Sequence, residues 1–164
     1  MGVFVFATSL IFMKGILTVN IRIRKLKAED AEDISKIYNS IIQKPVDADF
    51  NSLIKKHAQR KEDACFVAEI HGKVAGFMIS YIVTLGFGVE KSAWIATLGV
   101  DPKYWGMGIG KSMAEEVFKR YQAQGITDVY TSVQWNSPDI LSFFKTLDFH
   151  RSNFINLCKT LKKE

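Results

Sequence analysis

The sequence predicts one mixed α/β domain, and three observations carry that prediction. Segments with a two-residue apolar period alternate with segments of helical period, a glycine-rich loop joins a strand to a helix, and no linker, repeat or low-complexity stretch interrupts the order. The 164 residues, 48% hydrophobic and 24% charged, supply enough apolar surface for a single core. The domain is placed at 20–164, behind an apolar segment at 1–19. Val3 to Met13 has about the length of a signal-peptide core but has no basic stretch before it and no small-residue cleavage site after it. It reads as an extension ahead of an internal start at Met13, or as an extra strand, and it is too short for a membrane span.

The elements follow in order. Ile21, Ile23 and Leu26, with basic residues between them, make a first strand with one buried face. Ala31, Ile34, Ile37, Tyr38 and Ile41 recur at helical spacing, Glu29 and Asp30 suit the positive end of that helix, and Pro45 stops it. Asp47 or Asp49 is placed as the cap of a second helix carrying Phe50, Leu53 and Ile54. Cys65 to Ile70 and Val74 to Thr84 flank the turn His71-Gly72-Lys73 and form a hairpin. Gly86-Phe87-Gly88 marks a loop before the strand Ser92 to Val100. The helix after the glycine loop runs to about Gln124 and ends at Gly125, with a buried stripe of Ile109, Met113, Val117 and Tyr121. A strand from Asp128 to Trp135, a helix from Asp139 to Leu147 begun by Asn136-Ser137-Pro138, and a last strand from Phe149 to Leu161 complete the chain.

Composition excludes several classes. The two cysteines, Cys65 and Cys158, lie far apart without CxxC spacing, which suits two buried thiols in a reducing, cytoplasmic setting. His57, His71 and His150 have no metal-ligand spacing, so no metal is expected. The net charge of +5 is spread along the chain, without zinc-finger spacing or an RNA-binding aromatic signature, so neither nucleic acid nor membrane is an expected partner. The apolar run near the N-terminus offers a surface that a homodimer would bury.

The most informative segment runs from Thr97 to Ser112, TLGVDPKYWGMGIGKS. Alternate glycines at 106, 108 and 110 remove the Cβ atoms that would keep a ligand from the main chain, just where a helix begins. The converging N–H groups and the helix dipole suit a phosphate or pyrophosphate. A P-loop would need glycine at Trp105, and a dinucleotide fingerprint beginning at Gly106 would need glycine at Lys111, so both fail on spacing.

The segment resembles motif A of the GCN5-related N-acetyltransferases, Q/R-x-x-G-x-G/A after a strand ending in Val-Asp-Pro: here Val100-Asp101-Pro102, then Gly108 and Gly110. Asn136 and the stretch Phe143-Phe144-Lys145-Thr146-Leu147-Asp148-Phe149 resemble that family's later Asn and FYxKLGF. The resemblance spans Ile21 to Leu161. It implies a central, mostly antiparallel mixed sheet of six to seven strands flanked by four helices, with acetyl-CoA as co-substrate and an amine acceptor, either a small molecule or a protein. It also implies that Leu98, Gly99 and Val100 hold the pantetheine arm through their main chain. Trp105, Gly106, Met107, Gly108, Ile109 and Gly110 would hold the pyrophosphate, with Lys111 and Ser112 opening the helix and Asn136 near the pantetheine.

The chain departs from the family at named positions. Trp105 replaces the usual arginine or glutamine, a loss of about 1.5–3 kcal/mol if a charge-assisted hydrogen bond disappears. Phe144 stands where many members have a tyrosine acid, and Asp148 where they have glycine. Ser92 to Thr97, where some members carry a glutamate base, holds no acid, so Glu90, Tyr81 and Tyr130 are the candidates for proton removal. The oxyanion is expected to meet a main-chain N–H near Val100. Three readings stay open: amine acetylation by direct attack in a ternary complex, a CoA or acyl-CoA binding module without catalysis, and a basic partner-binding domain.

Overall fold

The computed structural model describes residues 20–42, 48–86 and 89–161; the N-terminal apolar segment, Pro45, Asp47 and Phe87-Gly88 lie outside the described residues. The elements are β1 (Ile21–Lys25), α1 (Ala31–Ile42), α2 (Ala48–Gln59), β2 (Phe66–Ile70), β3 (Lys73–Gly86), β4 (Val89–Val100), α3 (Ile109–Gln122), β5 (Val129–Thr131) and α4 (Pro138–Lys145). Short 3-10 turns at Ala28–Asp30 and Pro102–Tyr104 lead into α1 and out of β4. The expected mixed α/β architecture is present, with the strands in the order β1-β2-β3-β4-β5.

The first four strands pair antiparallel and β5 joins β4 in parallel. The β2–β3 hairpin closes through His71 (φ 50°) and Gly72 (φ 75°), left-handed conformations that match the twist of the flanking strands. One face of the sheet carries α3, whose Ile109, Met113, Val117 and Tyr121 are buried against Ala68, Met78 and Ile95. The other carries α1 and α2, whose Ile34, Ile37 and Ile54 pack on Val67, Phe77 and Ile79. Polar groups inside are satisfied: Ser80 Oγ lies 2.9 Å from Tyr121 Oη and donates to Ala64 O at 2.5 Å, while Ala64 N donates to Tyr121 Oη at 3.1 Å.

Four expectations need correction. The sheet has five strands among the described residues, not six to seven, because residues 150–161 form no ladder. Their alternating pattern has the period of a strand, but Ile155 and Leu157 are 76% and 93% exposed, so no buried face fixes a register against the outer edge of β5. That segment meets β5 and the residue after it through side chains: Phe154 lies edge-on to Tyr130 at 5.9 Å, and Asn156 Nδ2 donates to Ser132 Oγ at 2.7 Å. The strand expected from Asp128 to Trp135 shortens to Val129–Thr131. Glu90, expected in a loop, belongs to β4 by its backbone, and Asp49 lies within α2, not at its cap. No described helix is long and apolar enough to cross a membrane.

Candidate active site

The site begins where β4 and β5 part. Their parallel pairing covers only Ala93 to Ile95 against Val129 to Thr131, opened by Ala93 N donating to Asp128 O at 2.9 Å. It is closed by Thr131 Oγ1 donating to Ile95 O at 3.0 Å. Beyond that bond the strands separate. The β3–β4 register shifts at the same level, Ile79 facing Thr97 and Ser80 facing Ile95, so Ala96 is an extra residue on β4. Such a bulge bends its strand.

A cavity of about 350 Å³ fills the gap. Ile95, Ala96, Thr97 and Leu98 form one wall and Thr131 to Gln134 the facing one, while Tyr38 of α1 and Ser137, Ile140 and Phe144 around α4 complete it. Tyr38 is held by stacking on Phe50, ring centroids 4.4 Å apart. Phe144 is held between Phe143 and Phe149 by edge contacts of 5.2 and 5.0 Å. The lining is apolar with hydroxyl and amide groups and contains no carboxylate among the described residues.

Glycines set how β4 leads into α3. A Cβ at Gly99 would lie 2.7 Å from the buried Phe77 ring and 2.9 Å from Ile41. A Cβ on Gly76 would meet Gly99 O at 3.1 Å, and Ile109 Cγ2 and Met113 Cε at 3.2 Å, so hydrogen there lets α3 sit directly on the sheet. Asp101 N donates to Ala75 O at 2.9 Å, tying the strand end, and the Asp101 carboxylate accepts from Lys103 N at 3.1 Å and pairs with Lys103 Nζ at 2.9 Å. Gly106 (φ 78°) and Gly108 (φ 74°) then take left-handed conformations, the second as the cap of α3.

Among the described residues no acceptor meets the N–H groups of Gly106, Met107, Gly108, Ile109, Gly110 or Lys111; the first helical bond is Ser112 N to Gly108 O at 3.0 Å. These donors sit at the positive end of α3, whose first turn contains no acid. Open donors, a dipole and the nearby Lys111 suit an anion of phosphate type. Gly110 completes the loop by letting the Phe143 ring approach to 3.0 Å of where a Cβ would stand, which packs α4 against the start of α3.

The sequence-predicted residues distribute unevenly over this geometry. Leu98 lines the cavity, while Gly99 and Val100 continue the same strand toward the loop. Ile109 is buried in the core, so only its main chain faces the loop. Met107 and Lys111 are exposed, and the Ser112 hydroxyl donates back to Gly108 O at 3.2 Å. Trp105 is 63% exposed and its indole N–H donates to Val100 O at 2.7 Å, bracing the loop on the strand end. Asn136 is exposed beside Ser137 and does not line the cavity. Tyr81 and Tyr130 lie on the strands either side of β4, each opposite Trp94, outside the lining. The Glu90 side chain lies outside the described residues. The bulge lies at Ala96 and not near Val100.

Sequence reasoning missed Tyr38, Thr97, Thr131, Ser132, Gln134 and Ser137 as cavity residues. The helical stripe gave Tyr38 a packing role only, and the polar run TSVQWNS at 131–137, poor in strand character after Thr131, was the available sign that β5 stops early. Among the described residues no group of three or more His, Cys, Asp or Glu is placed to hold a metal ion.

Comparison with known proteins matches residues 31–149 to the family described as Acetyltransferase (GNAT) family. No curated protein matches by sequence. Among solved structures, an aminoglycoside acetyltransferase from an uncultured soil metagenomic sample, in complex with sisomicin, is similar at TM-score 0.72 and 20% identity, over 87% of this chain and 97% of its own. An aminoglycoside N-acetyltransferase in complex with CoA is similar at TM-score 0.74 and 14% identity, over 87% and 95%. A ribosomal-protein-alanine N-acetyltransferase from Brucella melitensis biovar Abortus 2308 is similar at TM-score 0.70 and 13% identity, over 87% and 100%.

Proposed function

Because the chain belongs to the acetyltransferase (GNAT) family, we propose that it moves the acetyl group of acetyl-CoA onto a primary amine by direct attack in a ternary complex. One observation carries the reading: the open N–H groups of the Gly106 to Lys111 loop follow directly on the strand that walls the β4–β5 cavity. A pyrophosphate on the loop leaves the pantetheine arm to enter along Leu98, Gly99 and Val100, with Asn136 at the far rim. The thioester then lies between Thr97 and Thr131. The loop fits the group, since its left-handed glycines present main chain without Cβ atoms.

The reaction forms an N–C bond to the acetyl carbonyl carbon and breaks the C–S bond. A lysine-like amine has a pKa of about 10.4 and must lose a proton before it attacks. Tyr81, Tyr130 and Glu90 remain the groups to test for that proton, taken directly or through water. The tetrahedral oxyanion meets main-chain N–H at the Ala96 bulge, in the cavity wall. Phe144, at 5% exposure in the wall, has no proton to give. CoA leaves as a thiolate instead, which a thiol pKa of about 8.5 permits near neutral pH.

Calorimetric titration with acetyl-CoA, with ATP and desulfo-CoA as controls, tests the reading first. Saturable binding of both CoA species and not ATP, followed by thiol release on adding amines, supports it. Binding without thiol release from any amine would favour a CoA-binding module, and no binding at millimolar acetyl-CoA would remove the proposal.

A further inference from the structure

The acceptor is left open by that reading, and the sheet bears on it. Tyr81 of β3 stands opposite Trp94 of β4, and Trp94 stands opposite Tyr130 of β5. Directly paired residues project from the same face of a sheet, so these rings form a row across three strands. The face is the one carrying α1 and α2, because Tyr81 stacks on His57 of α2 with centroids 5.5 Å apart. His57 is itself fixed from behind: its Nδ1 lies 3.1 Å from the buried carboxylate of Asp63. At the other end Phe154 meets Tyr130 edge-on. All three rings of the row are half-buried.

The row reaches the mouth of the cavity. Trp94 and Tyr130 are the pair next to Ile95 and Thr131, where the strands part. Thr97, which lines the cavity, pairs with Ile79 and so shares the α1/α2 face with the rings. An amine whose nitrogen attacks a thioester held between Thr97 and Thr131 therefore has the aromatic row beside it. Charge narrows what lies there. The cavity presents no carboxylate among the described residues, and Asp63 is already engaged by His57 and Arg60, at 3.1 and 3.6 Å. A polycation would lose water there without gaining anionic partners, whereas a flat apolar body gains stacking of about 0.5–1.5 kcal/mol per ring pair.

We infer that the acceptor is a monoamine with a flat apolar body, of the arylalkylamine class, laid on the Tyr81–Trp94–Tyr130 row, with Trp94 as the residue that sets specificity. The inference rests on the acetyl-transfer reading above. It is tested by thiol release from acetyl-CoA with phenethylamine, ethylamine, spermidine and kanamycin, on the wild type and on Trp94→Ala, Trp94→Phe and Tyr130→Leu variants, each with a thermal melt and an acetyl-CoA titration. Phenethylamine is expected to show a kcat/KM at least tenfold above each of the other amines. Trp94→Ala should lower the phenethylamine-to-ethylamine ratio of kcat/KM about tenfold and Tyr130→Leu severalfold. Trp94→Phe should keep most of the ratio, and all variants should retain the acetyl-CoA affinity. Reading a ratio removes the effect of any inactive fraction, and Tyr130→Leu serves if Trp94→Ala does not fold. Preference for spermidine or kanamycin, or a ratio unmoved in the folded variants, overturns this inference while leaving acetyl transfer standing. Failure of the wild type to bind acetyl-CoA, or to release thiol with any amine, overturns both.

Discussion

Arg24 shows how single residues decide the stability of this fold. Its guanidinium donates to both carboxylate oxygens of Asp30 at 2.7 Å and to Glu69 Oε1 at 2.7 Å, joining β1, β2 and the entry to α1. Burial alone would raise the Asp30 pKa, but the Arg24 bonds, the Lys27 N–H and the neighbouring positive charges overcome it and hold the carboxyl below its ordinary 3.8. A carboxyl with a depressed folded pKa contributes stability above its unfolded pKa and loses it as pH falls through the folded value. Arg24→Met leaves Asp30 buried without its partner and should cost about 3–5 kcal/mol at pH 7. Protonation of Asp30 relieves the variant, so its gap to the wild type in urea melts should shrink from pH 7 to pH 3. Burial likewise pushes the Cys65 thiol up to about 12, against the effect of a hydrogen bond with the Ser80 backbone and with the Asp63 charge adding to the rise. Cys158, expected from the sequence to be buried like Cys65, is instead exposed on the C-terminal segment, so one thiol should react with a neutral-pH thiol reagent in the native protein, and both after denaturation. Trp105→Arg should tighten acetyl-CoA about tenfold in calorimetry by restoring a charge-assisted donor. An unchanged or weaker affinity would mean that the indole bond to Val100 matters more.

At the scale of elements, the loop into α3 is the part most open to test. Gly108→Ala places a side chain where φ is 74°, costing about 1–2 kcal/mol although nothing crowds the new atom. Gly99→Ala instead pushes into the Phe77 ring and Ile41, an overpacking of about 1–3 kcal/mol. The two should separate in a paired experiment. Gly108→Ala should weaken acetyl-CoA binding more than its loss of stability suggests, and Gly99→Ala should mainly lower the melting temperature. This loop was legible in the sequence because everything it needs is local: glycine spacing, a strand before it and an amphipathic stripe after it. The α1 stripe was legible for the same reason. The strand expected from Phe149 to Leu161 was not, because alternation reports a willingness to extend and says nothing about whether a core is there to bury one of its faces. The cavity wall from Thr131 to Gln134 was missed on similar grounds. It exists only because two strands distant in sequence pair for a short stretch and then part, and neither strand alone records where that happens.

Across the whole molecule, the proposed function would divide the labour between the two sheet faces. The face under α3 presents the open N–H groups and the face under α1 and α2 presents the aromatic row, so two substrates would approach the β4–β5 gap from opposite sides. The C-terminal segment belongs to neither core. Truncation after His150 removes the edge contact on Tyr130 and the Asn156 bond but, among the described residues, no buried side chain, and should change the unfolding free energy by less than about 1 kcal/mol. The three tryptophans, by contrast, sample distinct places: Trp94 half-buried in the sheet, Trp105 on the glycine loop and Trp135 beyond β5, 87% exposed. The indole pinned to Val100 is thus a fluorophore already mounted on the anion receptor. When a nucleotide covers the loop its emission should shift to the blue or be quenched by the adenine, and Trp105→Phe should abolish the signal. On the proposed reading, the protein would report optically on the occupancy of its own loop, without any attached dye.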